Sequence, residues 1–216
     1  MENYLSEFYG DFHRRWNKYN FVHHLSGKKK FFAGRFEGRQ KILDLGSRDG
    51  SLIHSLGAPK ERVVCVDVDQ AAVNSCQTKG YKTLWLDLNS GRLPFSDNEF
   101  DLIIACDILE HLFSPGILMT EISRILAPGG QLIGSIPNAF YWRHRWQMLR
   151  GIDLISYIDP THVRHFSVES LNTEINQVFG NCVITPYGGN FLRWFWPAMF
   201  AEDLFFVVKQ IRKEKQ

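Results

Sequence analysis

The chain of 216 residues is poor in several features that would assign it quickly to a class. Its four cysteines, Cys65, Cys76, Cys106 and Cys182, form no C-x-x-C pair. That argues against a thiolate zinc site and a disulfide framework, and for a reducing compartment. Cys65 and Cys106 lie inside apolar runs, where free thiols are commonly buried. No run approaches the roughly 18 apolar residues of a spanning helix, and the first residues, MENYLSEFYG, carry no apolar signal core. The expectation is a cytoplasmic protein without an integral membrane segment. A formal net charge of +2 is too small to argue for a nucleic-acid partner. There is no internal repeat or low-complexity tract.

What the chain does have is order. Residues 1–40 mix Phe8, Phe12 and Tyr19 with Arg14, Arg15 and Lys18, as an amphipathic helical extension would. Gly27-Lys28-Lys29-Lys30 reads as a solvated connection, or as a contact for an anionic substrate or surface. From Lys41 apolar strands alternate with helical segments. KILDLG, ERVVCVDVD, YKTLWLDL, FDLIIACD and QLIGSIP are five strands, and NCVITPYGG and LFFVVKQ are two more. Ser114-Pro115 and Ser167 are helix starts, and Pro128-Gly129-Gly130 is a stop. This is an α/β chain with a doubly wound, mostly parallel Rossmann-like sheet of about seven strands and an N-terminal helical extension. Residues 41–216 form one domain in this reading. Ligands of such sheets bind beyond the carboxyl ends of the strands.

The loop Asp44-Leu45-Gly46-Ser47-Arg48-Asp49-Gly50 follows the first strand directly and opens a helix. Glycines there allow a tight turn and close approach of a ligand. Asp67 ends the next strand 21 positions after Gly46, near the spacing of about 20 at which a carboxylate reaches ribose hydroxyls. Arg48 replaces the middle glycine of G-x-G-x-x-G, which speaks against a dinucleotide and its pyrophosphate.

These segments resemble the class I methyltransferases that use S-adenosylmethionine (SAM). ILDLGSRDG is similar to that family's first motif and VVCVDVD to its ribose-binding strand end. LWLDLNSGRLPFSDNEFDLIIACDILEHL and ISRILAPGGQLIGSIPN match the later motifs in order, so the resemblance covers about residues 40–137. It implies SAM as cofactor. Asp44, Gly46, Ser47, Arg48 and Gly50 would line its methionine end, and Asp67 would bind the ribose with Val68 against the adenine. Asp87 and Leu88 would serve the adenine amino group, with Cys106 and Asp107 beside the methylthioether. The family usually has glycine where Arg48 stands. If the position needs positive φ, arginine is strained there.

Methyl transfer from a sulfonium is an in-line displacement, so positioning dominates and a base is needed only if the acceptor carries a proton. His111 and His162 are the candidate catalytic residues, and no metal is expected. His162 belongs to Asp159-Pro160-Thr161-His162-Val163-Arg164-His165-Phe166, a segment similar to one found between strand five and the next helix in this class. Arg164 there either holds an acceptor or ties the loop down. A small-molecule acceptor is expected, with no nucleic acid. SIPNAFYWRHRWQMLRG also resembles the MetW-like branch, which implies an alternative: a non-catalytic SAM-binding accessory partner of a biosynthetic enzyme. The aromatic stretch Phe191 to Phe206 is core, acceptor pocket or partner surface, and core is the default for large apolar side chains.

Overall fold

A computed structural model describes residues 21–153, 159 and 161–210. The aromatic stretch from Phe8 to Tyr19, expected to be helical, lies outside the described residues, as does Pro160. The first described element is helix α1, Phe21–Phe32. Strand β1 (Ile42–Leu45) is followed by helix α2 (Ser51–Ser55), and β2 (Val63–Asp67) by α3 (Gln70–Thr78). Strands β3 (Lys82–Trp85) and β4 (Phe100–Cys106) precede helix α4 (Pro115–Ile125). Then come β5 (Leu126–Pro137), α5 (Trp142–Leu149), α6 (Val168–Asn176), β6 (Val183–Tyr187), the short helix α7 (Pro197–Phe200) and β7 (Asp203–Lys209).

The seven strands form one sheet in the order β3-β2-β1-β4-β5-β7-β6. Neighbours are parallel except for β7, which runs antiparallel between β5 and β6. Strand order reverses beside β1, between β2 and β4, and that divergence opens the crevice where such sheets take ligands. Strand β5 starts earlier than the Pro128-Gly129-Gly130 stop predicts. It runs from Leu126, with a register shift against β4 between Phe100 and Leu102. Backbone bonds between Gly129, Gly130 and Gln210 draw the turn onto the end of β7. The stop ends the helix but does not delay the strand.

Alternation along the strands sorts the core into two layers, because successive side chains point to opposite faces. Leu43, Leu45, Ile103, Ala105 and Leu132 face α4 and α6, meeting Leu118, Ile122, Leu171 and Ile175. Ile42, Cys65, Leu102, Ile104 and Ile133 face the other way, with Phe32, Ile53 and Cys76 from α1, α2 and α3. Each fully buried Leu or Ile contributes about 1.5–3 kcal/mol, so the parallel half alone outweighs any single polar contact. Ser167 caps α6 as expected, in a capping box with Ser170. Ser114 stands at the start of α4 but makes no side-chain cap bond.

The lysine run is not a solvated loop. Residues 27–30 lie within α1, and Phe31 of that helix packs on Phe205 of β7 with centroids 4.6 Å apart. Tyr187 stacks on the other side of Phe205 at 4.8 Å. A Cβ at Gly27 would run into the Tyr187 ring, so only glycine lets α1 lie this close to β6 and β7. The packing turns Lys28 inward, where a sequence window of three lysines suggests solvent.

Candidate active site at the carboxyl edge of the sheet

The loop after β1 is held by the end of β2. Ser47 N–H donates to the Val66 carbonyl at 3.0 Å. Arg48 N–H donates to Asp67 Oδ2 at 2.7 Å, and Asp69 N–H to Asp67 Oδ1 at 2.9 Å. Gly46 and Arg48 both take positive φ, +66° and +49°. Gly46 also has no room for a Cβ, which would collide with the Ile108 side chain. Arg48 therefore adopts the left-handed conformation that costs a residue with a side chain of order 1–2 kcal/mol. Its bond to a carboxylate is of the size that offsets such a cost. Burial raises the pKa of Asp67 despite these bonds, and it pushes Asp44 well above the carboxylate range, reinforced by Cys76 and Asp67.

On the adenine side of the expected cofactor position, Val68 accepts a bond from the Trp85 indole at 2.7 Å. Leu88 is buried in the core, and Asp87 Oδ1 receives Asn89 N–H at 2.9 Å. Trp85 was not among the sequence candidates. Its only signal is a large aromatic residue at the end of β3, in register with Asp67.

At the end of β4 the backbone turns through Asp107, whose φ is +50°. Asp107 N–H donates to the Ser135 carbonyl at 2.8 Å, and Ser135 Oγ donates to Asp107 Oδ1 at 2.7 Å. The other carboxylate oxygen is ion-paired with Lys28 of α1. Burial by itself would lower the Lys28 pKa, but the Asp107 charge overrides it and the ammonium is held above its ordinary range. Cys106 is half-buried, and desolvation raises its thiol well above the free value.

The two candidate catalytic histidines meet, although they are 51 positions apart in the sequence. Their ring centroids are 4.7 Å apart. His111 Nδ1 lies 3.2 Å from the Thr161 carbonyl and 3.1 Å from Thr161 Oγ1. A carbonyl only accepts, so Nδ1 carries the proton and Nε2 keeps a lone pair. Thr161 Oγ1 in turn donates to Asp159 Oδ1 at 2.6 Å. Burial lowers the pKa of His111, and burial together with His111 lowers that of His162 to about 4. Both rings are therefore neutral near pH 7. Arg164 ties the loop down, with its guanidinium on the Phe113 carbonyl and its N–H on the Glu110 carbonyl.

Beside the histidines sits Glu110, 1% exposed, with Oε1 3.9 Å from His162 Nε2 and neither carboxylate oxygen hydrogen-bonded among the described residues. Burial and the Asp107 charge push its pKa well above the usual range. Glu110, His111 and His162 each offer an atom within 4.8 Å of the others, the donor types that a divalent first-row ion takes.

The aromatic stretch after β6 divides. Leu204, Phe205 and Phe206 are fully buried in β7, whereas Phe191, Trp194, Phe195 and Trp196 stand out from the surface. The default of core holds for the second half and fails for the first. Periodicity does not separate them, because neither half alternates apolar with polar side chains.

The site residues fit SAM in chemical type. Carboxylates at Asp67 and Asp107 suit ribose hydroxyls and a cationic sulfonium, and Val68, Leu88 and Trp85 offer apolar surface for a base. The family described as a methyltransferase domain matches residues 43–134. A probable SAM-dependent methyltransferase of Mycobacterium tuberculosis is 25% identical over 132 residues, 61% of this chain and 45% of its own length. A ubiquinone/menaquinone biosynthesis C-methyltransferase of Shewanella baltica is 28% identical over 131 residues, 56% of this chain and 48% of its own. The chain thus spans about half the length of the curated relatives it matches. A SAM-dependent methyltransferase structure from Archaeoglobus fulgidus superposes with a TM-score of 0.71 at 16% identity, covering 94% of this chain and 99% of that one. That likeness shows the fold. Residues 43–134, which span β1 to β5 and bring the loop, Asp67 and Asp107 to one sheet edge, match the methyltransferase domain, and the chain is thus similar to the class I SAM-dependent methyltransferases, whose cofactor is SAM.

Proposed function

We propose that the chain transfers a methyl group from SAM to a small-molecule acceptor, with His111 as the base when the acceptor carries a proton. In this reading Asp44, Gly46, Ser47, Arg48 and Gly50 hold the methionine end. Asp67 takes the ribose hydroxyls, Val68, Asp87 and Leu88 the adenine, and Cys106 and Asp107 border the sulfonium. His162 packs against His111 and keeps its environment dry, which strengthens the electrostatics of the step. SAM supplies the electrophilic methyl group. The protein supplies alignment along the line of attack, the largest lever in a displacement of this kind.

The observation that carries the proposal is the placement of His111, with Nδ1 3.2 Å from the Thr161 carbonyl just beyond the end of β4. The Asp159–Thr161 pair orients the His111 ring, which stands four to five residues beyond Asp107 and Cys106 at the expected sulfonium position. Residues 41–216 would form the catalytic domain, working in the cytoplasm, with the N-terminal extension contributing Lys28. The test is calorimetric titration with SAM followed by turnover of labelled SAM on a panel of hydroxyl, amine and carbon acceptors. Affinity for SAM without turnover on any acceptor, and turnover gained only with an added biosynthetic enzyme, would replace this reading with the accessory one.

Glu110 favours a second reading. A buried carboxylate that accepts no hydrogen bond and lies 3.9 Å from an imidazole nitrogen would be compensated by a divalent ion, and Glu110, His111 and His162 would then hold it. Metal analysis after chelator dialysis and readdition decides: one equivalent retained by the wild type and lost in Glu110→Gln supports it, and none retained by folded protein excludes it.

A further inference from the structure

We propose that the edge of the sheet carrying the site docks on an anionic lipid surface, and that the methyl acceptor is presented from that surface as a lipid-linked molecule. The second half rests on the methyl-transfer reading; the docking does not.

Two segments build the surface. Residues 138–152 and 188–201 contain no aspartate or glutamate. They carry Arg143, Arg145, Arg150 and Arg193 between large apolar side chains. Topology places them together. Pro137 at the end of β5 and Tyr187 at the end of β6 both pair with Asp203, the first residue of β7. Both segments therefore leave the sheet at its carboxyl edge. Asn138 joins them, its side-chain amide donating to the Ala201 carbonyl at 2.8 Å and the Ala198 carbonyl at 3.3 Å. The same edge bears the Gly46–Gly50 loop and His111.

The side chains project. Leu149 is 80% exposed, Phe191 70% and Phe195 83%, with Trp146, Trp194 and Trp196 each above half. Helix α5, Trp142–Leu149, buries none of its side chains. Most of the exposed large apolar residues of the described chain fall in these two segments. Arg143 stacks over Trp142 and Arg193 over Trp194, with guanidinium carbon to ring centroid distances of 5.6 and 5.2 Å.

Tryptophan and phenylalanine spaced by arginine are the composition of interfacial segments. The rings enter the headgroup boundary while the guanidinium groups meet phosphates. Absence of any acidic residue in either span gives the charge complementarity that an anionic bilayer selects. A protein interface concentrates its apolar residues in a flat central patch with a polar rim. Here Arg143, Arg145, Arg150 and Arg193 are interspersed among the rings of both segments, although Trp194, Phe195 and Trp196 are consecutive. An acceptor carried on such a surface would enter the crevice directly at His111.

The experiment is co-sedimentation of the full chain with vesicles of phosphatidylcholine, with and without phosphatidylglycerol, in low and high salt. Wild-type protein should bind the anionic vesicles selectively and lose binding as salt rises. Arg145→Glu/Arg150→Glu and Trp194→Ser/Phe195→Ser/Trp196→Ser should each weaken binding about tenfold or more, with unchanged melting temperature and SAM affinity. Brominated lipid should quench tryptophan fluorescence in the wild type and less in the aromatic variant. Equal partition of wild type and both variants would overturn the proposal. So would a wild-type dimer that the aromatic variant dissociates, since the surface would then be a protein interface. Vesicle binding without SAM affinity would sink the methyl-transfer reading and leave the docking intact.

Discussion

The proposed cofactor side and the proposed acceptor side of the sheet edge are built by different means. On the cofactor side the partners are near in sequence: Asp67 holds Arg48 across 19 positions, and Trp85 holds Val68 across 17. On the acceptor side they are distant. His111 meets Thr161 across 50 positions, and Lys28 meets Asp107 across 79. The first arrangement follows from adjacent parallel strands whose ends must lie side by side. The second needs a helix and a loop, from opposite ends of the chain, to land on the same strand end. A cofactor shared across a superfamily is thus served by local geometry. The acceptor is served by the parts that the fold leaves freest to vary.

Breaking one side should leave the other standing. The largest effect is expected from His111→Gln, which should lower kcat by about a hundredfold to ten-thousandfold while SAM affinity stays within twofold. Equal losses in both would show that the two sides are not separable. The pH profile sharpens the same point. Burial lowers the His111 pKa, so the acidic limb of kcat should fall below the ordinary value of 6.5 and vanish in the variant. A limb above 6.5 would remove His111 from the role of base.

Asp67→Ala comes next. It removes the charge-assisted bond that holds Arg48 in the loop and the one to Asp69, each of about 1.5–3 kcal/mol, and should weaken SAM binding by about a hundredfold in calorimetry. At saturating SAM, turnover should recover to near the wild-type value. Lys28→Met crosses the boundary between the sides. Leaving Asp107 without its cation should cost roughly 1–3 kcal/mol in denaturant unfolding. An unchanged midpoint would mean that α1 is not fixed by that pair. The smallest effect belongs to Phe195→Ser, within about 0.5 kcal/mol of the wild type, because the ring contacts solvent rather than core.

The difference between the sides also explains what the sequence made legible. Strand alternation, the Gly46–Gly50 turn and the spacing to Asp67 are local signals, and the elements they predict are present with small shifts of boundary. Arg48 shows how far such a signal goes. The sequence makes its strain conditional on positive φ, and the offsetting bond from Arg48 N–H to Asp67 is visible only with both strand ends in place. Lys28 shows where the signal stops. A lysine triplet reads as solvent-facing in any window, and its burial depends on Gly27 clearing Tyr187, 160 positions away. Likewise, Phe195 and Phe205 sit in equally apolar surroundings in the sequence, yet one projects and the other is enclosed.

The sequence by itself determined the sheet, the order of its elements and the place of the cofactor loop, because apolar periodicity and turn chemistry act over a few residues. Tertiary structure alone decided the pairing of His111 with His162, the inward Lys28, the burial of Glu110 beside His162 and the exposed aromatic edge. Each depends on which distant backbone arrives within a few ångströms, and that is settled by packing of the whole core rather than by any segment's own preference.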